Sequence, residues 1–425
     1  MSKLQGLRGM NDLLPEQSPA WQYVESTLRT LLSRYGYREI RTPILEDTSL
    51  FQRSIGEATD VIEKEMYTFD DRNGESISMR PEFTAGIARS VIEHNLAHNQ
   101  SLRLWSTGPL FRYERPQKGR YRQFHQLSVE TFNMEGPDID IELILLSARL
   151  LRELGLHDQV TLELNSLGTA ESRKAYRERL VHYLTEHKSV LDEDSVRRLS
   201  TNPLRVLDSK NPDMADMLSG APRMLDHLDD ESREHFDKLT NTLDALGIKY
   251  VINTRLVRGL DYYSRTVFEW TTTALGSQGT VCGGGRYDGM ITQLGGKPTP
   301  ACGFGLGLER LVLLLEELNL IPDSVHKTVD VYATALGDTA EQTALKLVEH
   351  LRDELPELRI QLHCGGGSFK SQIKKADRSG ARVALLLGED ECAQGTVGIK
   401  YLREDKDQES VEQSRLSERL SSLVS

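Results

Sequence analysis

Three glycines alternate with bulky residues in a short run that leads directly into an apolar helical pattern. The segment is GFGLGLERLVLLLEEL, beginning at Gly303. Successive side chains point to opposite faces of a β-strand, so one face of this strand would carry no side chains. A flat ring could lie against that bare backbone, and Arg310, in the first helical turn, could reach back over it. The alternative is a glycine strand packed beneath another backbone.

A basic segment interleaved with aromatic residues precedes this strand in the chain. It is FRYERPQKGRYRQFHQ, from Phe111 to Gln126, and Pro116 and Gly119 predict a loop between two strands. Guanidinium groups bind phosphate oxygens in pairs, and an aromatic face can stack on a base. The segment therefore suits a nucleotide or a nucleic acid, although a solvated basic hairpin has the same composition.

Two further segments combine glycines with charged and aromatic residues. LVRGLDYYSRTVFEW starts at Leu256, and GTVCGGGRYDG starts at Gly279. If Tyr262 and Tyr263 lie on a strand they point to opposite faces, so at most one is expected in a pocket. The second segment permits close backbone approach to a ligand, but it lacks the Lys–Ser/Thr ending of a P-loop. An Arg–Asp ion pair and a tight turn are the respective alternatives.

Two carboxylates lie next to predicted strands, Glu82 in SMRPEFTAG and Glu130 in LSVETF. A buried acid is costly unless it is paired, so each could meet a cationic ligand group such as an ammonium or an imidazole N–H. Taken one at a time, a surface carboxylate is the simpler expectation for either residue.

The order of patterns along the 425 residues predicts two domains with an insertion in the first. Short strands meeting at polar turns between about 66 and 165 predict an antiparallel sheet, with helices near 82–96 and 138–154. Residues 170–245 are highly charged and predict a helical insertion. A strand–helix alternation over 326–425 predicts a small, largely parallel sheet, in which Asp338 caps a helix and Glu341 completes a capping box.

Composition narrows the class of protein. Its 27% charged residues and the lack of a long apolar run favour a soluble protein, with no sign of a secretory signal. The four cysteines are scattered, so we expect reduced thiols in the cytoplasm and no dedicated Cys/His metal site. The net charge of −12 means that any RNA-binding surface must be a local basic patch.

Taken together, these segments resemble the histidyl-tRNA synthetase family over nearly the whole chain. FRxE and the later GxGxGxER look like motifs 2 and 3 of class II aminoacyl-tRNA synthetases, and YGYREIRTPILE fits motif 1. LVRGLDYY and GTVCGGGRYDG resemble the two histidine-specific signatures. The resemblance implies an α+β catalytic domain over 1–325, an antiparallel sheet flanked by helices that contains the helical insertion, and a C-terminal α/β anticodon-binding domain over 326–425.

The implied activity is ATP-dependent attachment of L-histidine to its tRNA through a histidyl-adenylate, with Mg²⁺ and a homodimer built on motif 1. The resemblance assigns Arg258 and Arg112 to catalysis. It assigns histidine binding to Glu82, Phe83, Thr84, Arg112, Gln126, Glu130, Arg258, Tyr262, Tyr263 and Tyr287. It assigns ATP binding to Arg112, Arg120, Phe124 and Arg310.

For the tRNA, the resemblance places Arg115 and Gln117 at the acceptor end and the anticodon on the C-terminal domain. A basic helix there offers Lys370, Lys374, Lys375 and Arg378, which could equally be a solvated face. The chain departs from the family at Phe83, where a small residue is frequent; a ring could narrow the mouth of the pocket.

Three rival functions remain at this point. A regulatory paralogue of the first enzyme of histidine biosynthesis shares the fold and binds histidine, but such proteins tend to lose the ATP arginines and the anticodon domain. A class II synthetase for glycine, proline or threonine would lack the two histidine signatures. A simple RNA-binding protein would not need an adenine-sized glycine strand between phosphate-binding arginines.

Overall fold

The computed structural model describes residues 3–56, 59–276 and 279–421, which divide into two compact units. Unit 1 runs to Leu320 and unit 2 begins at Ile321. The sequence placed the boundary near residue 325, which lies in a short 3-10 turn at Asp323–His326.

Unit 1 contains ten α-helices and eleven strands within the described ranges. In chain order they are α1 (Ser18–Arg34), β1 (Arg38–Glu39), β2 (Leu45–Asp47), α2 (Thr48–Ile55), β3 (Tyr67–Asp70), β4 (Ser76–Met79), α3 (Thr84–Glu93), β5 (Leu102–Phe111), β6 (Gln123–Phe132), α4 (Pro137–Glu153), β7 (Thr161–Ser166), α5 (Ala170–Glu186), α6 (Glu193–Thr201), α7 (Ala215–Ser219), α8 (Asp230–Ala245), β8 (Val251–Ile252), β9 (Ser264–Thr271), β10 (Thr280–Arg286), α9 (Met290–Gln293), β11 (Ala301–Gly307) and α10 (Leu308–Glu317).

The site is built on an eight-stranded sheet in the order β1-β5-β6-β11-β10-β9-β7-β8. Its six inner strands pair antiparallel, and only the two edge pairs, β1 with β5 and β7 with β8, are parallel. The predicted antiparallel sheet is thus confirmed. The glycine strand β11 lies between β6 and β10, with Gly303 opposite Glu130 and Gly307 opposite Gln126.

Helices flank this sheet through their apolar stripes. In α1, Ala20, Val24, Leu28, Leu31 and Leu32 are buried at helical spacing, and α1 contacts both α4 and α10. The apolar spacing of residues 17–35 in the sequence predicts this helix, and the prediction is confirmed. Helix α4 also packs against β10, β11 and α8, which fixes the sheet beneath the glycine strand.

The sequence predicts a strand over 37–44, after Gly36, and this prediction is largely wrong. Only Arg38 and Glu39 pair with β5, and the chain then turns away at Pro43, which has no N–H to give to a sheet. It re-forms as β2 in a separate three-stranded sheet, β2-β4-β3. Ile44, Leu45 and Phe69 are exposed in this part of the structure.

Residues 170–245 form helices α5 to α8 joined by 3-10 turns. Their apolar side chains do not make a separate core. Tyr176, Leu180 and Val206 belong to the same buried cluster as Tyr262 and Tyr263, which lie beside the site described below. The insertion is therefore packed directly against the segment that precedes β9.

Unit 2 is a five-stranded sheet in the order β13-β12-β14-β15-β16 with helices around it. Its elements are β12 (Val331–Ala335), α11 (Asp338–Glu354), β13 (Ile360–Leu362), α12 (Phe369–Arg378), β14 (Val383–Leu387), α13 (Glu389–Gln394), β15 (Thr396–Tyr401), β16 (Glu409–Glu412) and α14 (Leu416–Ser421). Strands β12, β13 and β14 are parallel, while β15 and β16 are antiparallel, so the sheet is mixed.

The capping prediction for α11 is wrong. The N-cap residue is Gly337, whose φ of 99° suits glycine, and Asp338 is the first helical residue without a side-chain cap hydrogen bond. Among the described residues, no helix has the length and apolarity needed to cross a membrane.

Candidate active site

A cavity of about 450 Å³ opens over the glycine strand in unit 1. All four sequence segments singled out above contribute to its wall. The predicted site residues that line it are Glu82, Thr84, Arg112, Arg120, Phe124, Gln126, Glu130, Arg258, Tyr262, Tyr263 and Arg310, together with Gly303, Gly305 and Gly307.

The floor of the cavity is the bare face of β11, as the alternating glycines predict. A Cβ atom at Gly303 would overlap the Glu130 carboxylate, and one at Gly305 would lie 2.8 Å from the Gln126 side-chain nitrogen. Two polar side chains of the neighbouring strand β6 thus occupy the space that the missing side chains leave. Any other residue at either position would displace them.

Glu130 is buried at the inner end of this floor, with a relative exposure of 1%. The Thr84 and Ser128 hydroxyls donate to one carboxylate oxygen at 2.8 and 2.6 Å, and the Tyr287 hydroxyl donates to the other. Burial raises the pKa of Glu130 to about 7, although the three hydroxyl donors oppose that rise. The surface-carboxylate expectation is therefore wrong for Glu130.

The same expectation is wrong for Glu82, which is 3% exposed. Its carboxylate accepts backbone N–H groups from Thr84 at 2.6 Å and Ala85 at 2.8 Å, at the start of α3. Burial raises the pKa of Glu82, whereas these backbone donors and Arg112 favour its ionised form. A negative group fixed in this way can receive an ammonium.

Phe83 lies between these acids in sequence, but its ring packs in the apolar core with 1% exposure. The Arg80 guanidinium stacks over the ring, 4.3 Å from its centroid. The departure from the family pattern at Phe83 therefore falls on the packing around α3, and a narrowed pocket mouth does not follow from it.

Three guanidinium groups converge on the outer part of the cavity. Arg112 donates to the carbonyl of Pro81 at 2.9 Å and lies 5.4 Å from the Phe124 ring centroid. Arg310 reaches back from α10, as predicted, to the carbonyls of Gly119 at 3.2 Å and Thr280 at 2.7 Å. Burial, together with the charges of Arg120 and Arg112, lowers the pKa of Arg310. An anionic ligand would relieve this concentration of positive charge.

Arg258 also lines the cavity, and its ion-pair partner is Glu269 on β9. The Arg–Asp pair considered from the sequence is therefore wrong. Burial opposes a charged guanidinium, but Glu269 outweighs it and raises the pKa of Arg258, so this residue remains a cation. Its guanidinium lies over Tyr263, 5.4 Å from the ring centroid.

Both tyrosines of LVRGLDYY line the cavity, so the prediction that at most one would face it is wrong. That prediction assumed a strand, whereas Tyr262 and Tyr263 lie in the irregular segment just before β9. Their ring centroids are 4.6 Å apart, and the ring of Tyr287 lies 5.4 Å from that of Tyr262. The three rings form an aromatic wall around the space in front of Glu130.

Comparison with known proteins assigns this arrangement to a family. The family model for histidyl-tRNA synthetase matches residues 9–311, and that for an anticodon-binding domain matches residues 330–423. The chain belongs to the histidyl-tRNA synthetase family. It is thus a histidine–tRNA ligase, with a class II catalytic domain and a C-terminal anticodon-binding domain.

Solved structures agree with this assignment. The apo histidyl-tRNA synthetase of S. aureus is 36% identical, with a TM-score of 0.82, and the match covers 98% of this chain and 99% of that one. The histidyl-tRNA synthetase of Nostoc sp. PCC 7120 is 18% identical over 100% of both chains, with a TM-score of 0.72. A Bacillus halodurans protein, described as an ATP phosphoribosyltransferase regulatory subunit/histidyl-tRNA synthetase, is 20% identical over 91% and 99%, with a TM-score of 0.64. At these lower identities the last two show the shared fold alone.

A buried charge network holds the segment GTVCGGGRYDG in place. The sequence did not reveal this network. Arg286 is fully buried and donates to both carboxylate oxygens of Asp140, and His235 of α8 lies 3.3 Å from the same carboxylate. Burial opposes ionisation of Asp140, but His235 and Arg286 outweigh it and lower its pKa to about 2. The network fixes the end of β10 next to Tyr287. Ser128 and Glu269 are two further contacts of the site that sequence reasoning missed.

The residues predicted to touch tRNA are exposed in both units. Arg115 and Gln117 lie in the loop between β5 and β6, where Gln117 and Arg120 exchange two backbone hydrogen bonds. In unit 2 the four basic residues of α12 are exposed: Lys370, Lys374, Lys375 and Arg378. Within the described ranges no group of three His, Cys, Asp or Glu side chains is placed to hold a metal ion.

Proposed function

We propose that the cavity binds histidine and ATP together, with the imidazole at Glu130 and the triphosphate among the arginines. The observation that carries this proposal is the hydrogen bonding of Glu130. A carboxylate has about four lone-pair sites, and hydroxyl donors from Thr84, Ser128 and Tyr287 occupy three of them. One site is left for an N–H group of a ligand, in front of the aromatic wall.

Histidine specificity follows from pairing both ring nitrogens. Glu130 accepts one N–H, and the Tyr263 hydroxyl takes the other nitrogen, while Tyr262 and Tyr287 line the ring. A ligand that lacks one ring nitrogen would leave a buried polar group unpaired. That penalty exceeds the ~1–3 kcal/mol at which a hydrophobic pocket can reject a missing methylene.

The backbone groups of the amino acid lie toward α3 and β6. Glu82, Thr84 and Gln126 hold the α-ammonium, which places the carboxylate beside Arg112. This assignment is supported by the burial of Glu82 and by its backbone N–H contacts, which keep the carboxylate in one orientation. Because Glu82 holds the α-ammonium in a fixed place, the histidine carboxylate is positioned to attack the α-phosphorus.

ATP lies over the glycine floor. Phe124 stacks on one face of the adenine and Arg310 covers the other. Arg112 binds the α-phosphate, and Arg120 and Arg310 bind the outer phosphates. Arg120 forms an ion pair with Glu114 in the structure, so binding of ATP requires it to exchange or share that partner. Mg²⁺ bound to the nucleotide would neutralise charge on the outer phosphates, beside Arg120 and Arg310.

In the first step a histidine carboxylate oxygen attacks the α-phosphorus in line. A new oxygen–phosphorus bond forms, the bond to the β-phosphate breaks, and pyrophosphate leaves with the electron pair. The protein forms no covalent bond, and positioning and charge stabilisation do the catalysis. Arg258 supplies the positive charge at the α-phosphate, on the side opposite Arg112.

In the second step the terminal hydroxyl of the tRNA attacks the carbonyl carbon of the adenylate. An ester forms, the bond to the phosphate breaks, and AMP leaves. Arg115 and Gln117 meet the acceptor end, since both are exposed in the loop next to the ATP arginines. The exposed basic side chains of α12 in unit 2 meet the anticodon.

We also propose that the protein is a homodimer in the cytoplasm. Ile44 and Leu45 are exposed within motif 1, and Phe69 is exposed further along the chain, on β3 of the sheet β2-β4-β3. A second copy of the chain would cover these apolar side chains. Reduced cytoplasmic conditions suit the four cysteines, which are all free.

The test is amino-acid-dependent ATP–pyrophosphate exchange, comparing histidine with the other standard amino acids in the absence of tRNA. Exchange with histidine alone is the expected result, and a charging assay with tRNA then completes the reaction. If histidine binds but no exchange occurs, the regulatory-paralogue alternative gains support and the catalytic role of Arg258 is lost. Exchange with another amino acid would overturn the role of Glu130.

A further inference from the structure

The segment that carries Arg258 is an irregular loop of residues 253–263, between β8 and β9, which we term the Arg258 loop. Its regular backbone hydrogen bonding is sparse. The catalytic body holds it through Asn165, which donates to the carbonyl of Leu256 at 3.0 Å, and through the carbonyl of Ile55, which accepts from the backbone N–H of Asp261 at 3.1 Å. Asn253 adds a backbone hydrogen bond to the carbonyl of Leu164 at 2.9 Å and a side-chain hydrogen bond to Glu163, and Arg258 itself pairs with Glu269. Further restraints come from the helical insertion.

Two of these restraints flank Arg258 at equal sequence distance. On one side the Arg255 guanidinium donates to the carbonyls of Leu207 and Ser209 at 3.1 and 3.0 Å. On the other side the Asn202 side-chain amide donates to the Asp261 carboxylate at 2.6 Å. Asn202, Leu207 and Ser209 all belong to the insertion.

Two more contacts close the loop between these restraints and its end. Arg205 of the insertion lies against Gly259, where its guanidinium would be 3.1 Å from an added Cβ atom. Arg173 of α5 donates to the carbonyl of Tyr263. Both bring the insertion within contact of residues next to the cavity.

The apolar packing continues the same connection. Leu256 and Val257 are buried in one cluster with Val206 and Leu207, on the same turn that accepts the Arg255 hydrogen bonds. The insertion is itself tied to the catalytic body at Asp60 through Arg198, at 3.2 Å. The loop is therefore enclosed between two parts of unit 1.

We propose that the helical insertion positions Arg258 for catalysis, with Asn202 and Arg255 as the positioning residues. This rests on the proposed function, since it takes Arg258 as the group that stabilises the α-phosphate. Neither Asn202 nor Arg255 touches the substrates. Because a misplacement of about 1 Å in a catalytic group can cost on the order of 100-fold in rate, small shifts around Arg258 would reduce catalysis while Glu130 and its strand stay in place.

The experiment compares Asn202→Ala and Arg255→Met with two matched controls on the insertion. Asn241→Ala on α8 and Arg179→Met on α5 change the same residue types at exposed positions. Single-turnover adenylate formation and equilibrium histidine binding are measured for each. Each of these two variants is expected to slow adenylate formation by about 10-fold with a smaller change in histidine affinity, to which Tyr262 and Tyr263 at the end of the loop contribute. The controls should match the parent protein. Arg255→Lys, which keeps one cationic donor, should recover part of the rate.

The decisive measurement repeats Asn202→Ala and Arg255→Met in an Arg258→Ala background. If Asn202 and Arg255 act through Arg258, they should have almost no further effect there, whereas a merely structural defect would reduce the rate again by the same factor. Undiminished effects in that background would overturn the proposal, as would wild-type rates for both single variants. Thermal melting checks that all variants fold. Failure of the proposed function is distinct, because the parent protein would then show no histidine-dependent exchange at all.

Discussion

The two sides of the cavity are held in place by different kinds of contact. One side, which we call the sheet half, consists of residues on β6 and β11 and includes Glu130 and Gly303. Its positions follow from an antiparallel register in which each residue is hydrogen-bonded to a neighbouring strand. The other side is the Arg258 loop, whose positions depend on side chains that come from a distant part of the chain.

This difference assigns different tasks to the two sides. In the proposed function the sheet half selects the amino acid, because burial and three hydroxyl donors fix the Glu130 carboxylate. The Arg258 loop, apart from Tyr262 and Tyr263 at its end, would supply charge to the reacting phosphate. This proposal separates recognition from transition-state stabilisation, and substitutions at Glu130 and Arg258 should separate them as well.

The largest expected effect is on the stability of the fold, at the buried pair of Asp140 on α4 and Arg286 on β10, next to the sheet half. Asp140→Ala removes the fully buried carboxylate partner of Arg286 and leaves only the partly exposed Asp288, so we expect a loss of about 3 kcal/mol in the free energy of unfolding. Urea unfolding measures it. The matched control is Asp138→Ala, an exposed acid in the first turn of the same helix, which should cost less than about 1 kcal/mol. Equal losses of unfolding free energy in the two variants would mean that the Arg286 network does not stabilise the structure around the sheet half.

Next in size is the loss of Arg258. Arg258→Ala should lower the rate of adenylate formation by about 100-fold or more, because a preorganised charge at the transition state is removed. Single-turnover kinetics with saturating histidine and ATP measure it. Arg258→Lys keeps the positive charge but lacks the planar guanidinium, so its rate should lie between those of the parent protein and Arg258→Ala. A rate close to that of the parent protein would remove the loop from catalysis.

The pH dependence of histidine binding tests the sheet half alone. Glu130 accepts an imidazole N–H much more strongly when it is ionised, and its pKa of about 7 predicts that affinity rises by up to about 10-fold between pH 6 and 8. Glu130→Gln removes this titration and keeps that of the histidine ligand. Calorimetric titrations of both proteins at several pH values isolate the difference. Identical pH profiles would contradict the role of Glu130.

The raised pKa of Glu130 also makes the stability of the fold depend on pH. Stability falls as the pH rises, whereas histidine affinity increases. Burial raises the pKa of Glu130 above the value of about 4.3 expected in an unfolded chain, so the folded state binds more protons between these values. The Glu130 contribution to stability is thus present at low pH and is lost as the pH rises toward 7. Urea unfolding of Glu130→Gln should show the variant gaining relative to the parent protein over this range.

The smallest effect is expected at Ser128. Ser128→Ala removes one of the two hydroxyl donors to the same oxygen of Glu130, which raises its pKa further and should weaken histidine binding at pH 7 a few-fold. Ser106 is the control, since it faces Ser128 on β5 and its buried hydroxyl has no hydrogen-bond partner among the described residues. If Ser106→Ala weakens binding as much as Ser128→Ala, the donor itself is unimportant.

Most of the sheet half could be predicted from the sequence because its signals are local. Alternating glycines predict the floor, and the helix after them places Arg310. The burial of Glu130 was missed because it comes from residues far along the chain, Thr84 and Tyr287, whose hydroxyls meet only when the sheet forms. A single residue pattern does not show such convergence.

The supports of the Arg258 loop were not predictable in the same way. Asn202 and Asp261 are 59 positions apart, and neither lies in a periodic pattern that indicates a partner. On a strand, Tyr262 and Tyr263 would point to opposite faces, whereas the loop brings both to the cavity. Tertiary contacts determine the backbone here, and local propensity does not.

The most direct test of the two-sided account is to measure histidine affinity and adenylate formation rate in Arg258→Ala and Glu130→Gln side by side. We expect Arg258→Ala to lose rate by about 100-fold with histidine affinity nearly unchanged, and Glu130→Gln to lose mainly histidine affinity. If both variants lose rate and affinity in equal proportion, recognition and transition-state stabilisation are not separated between the two sides.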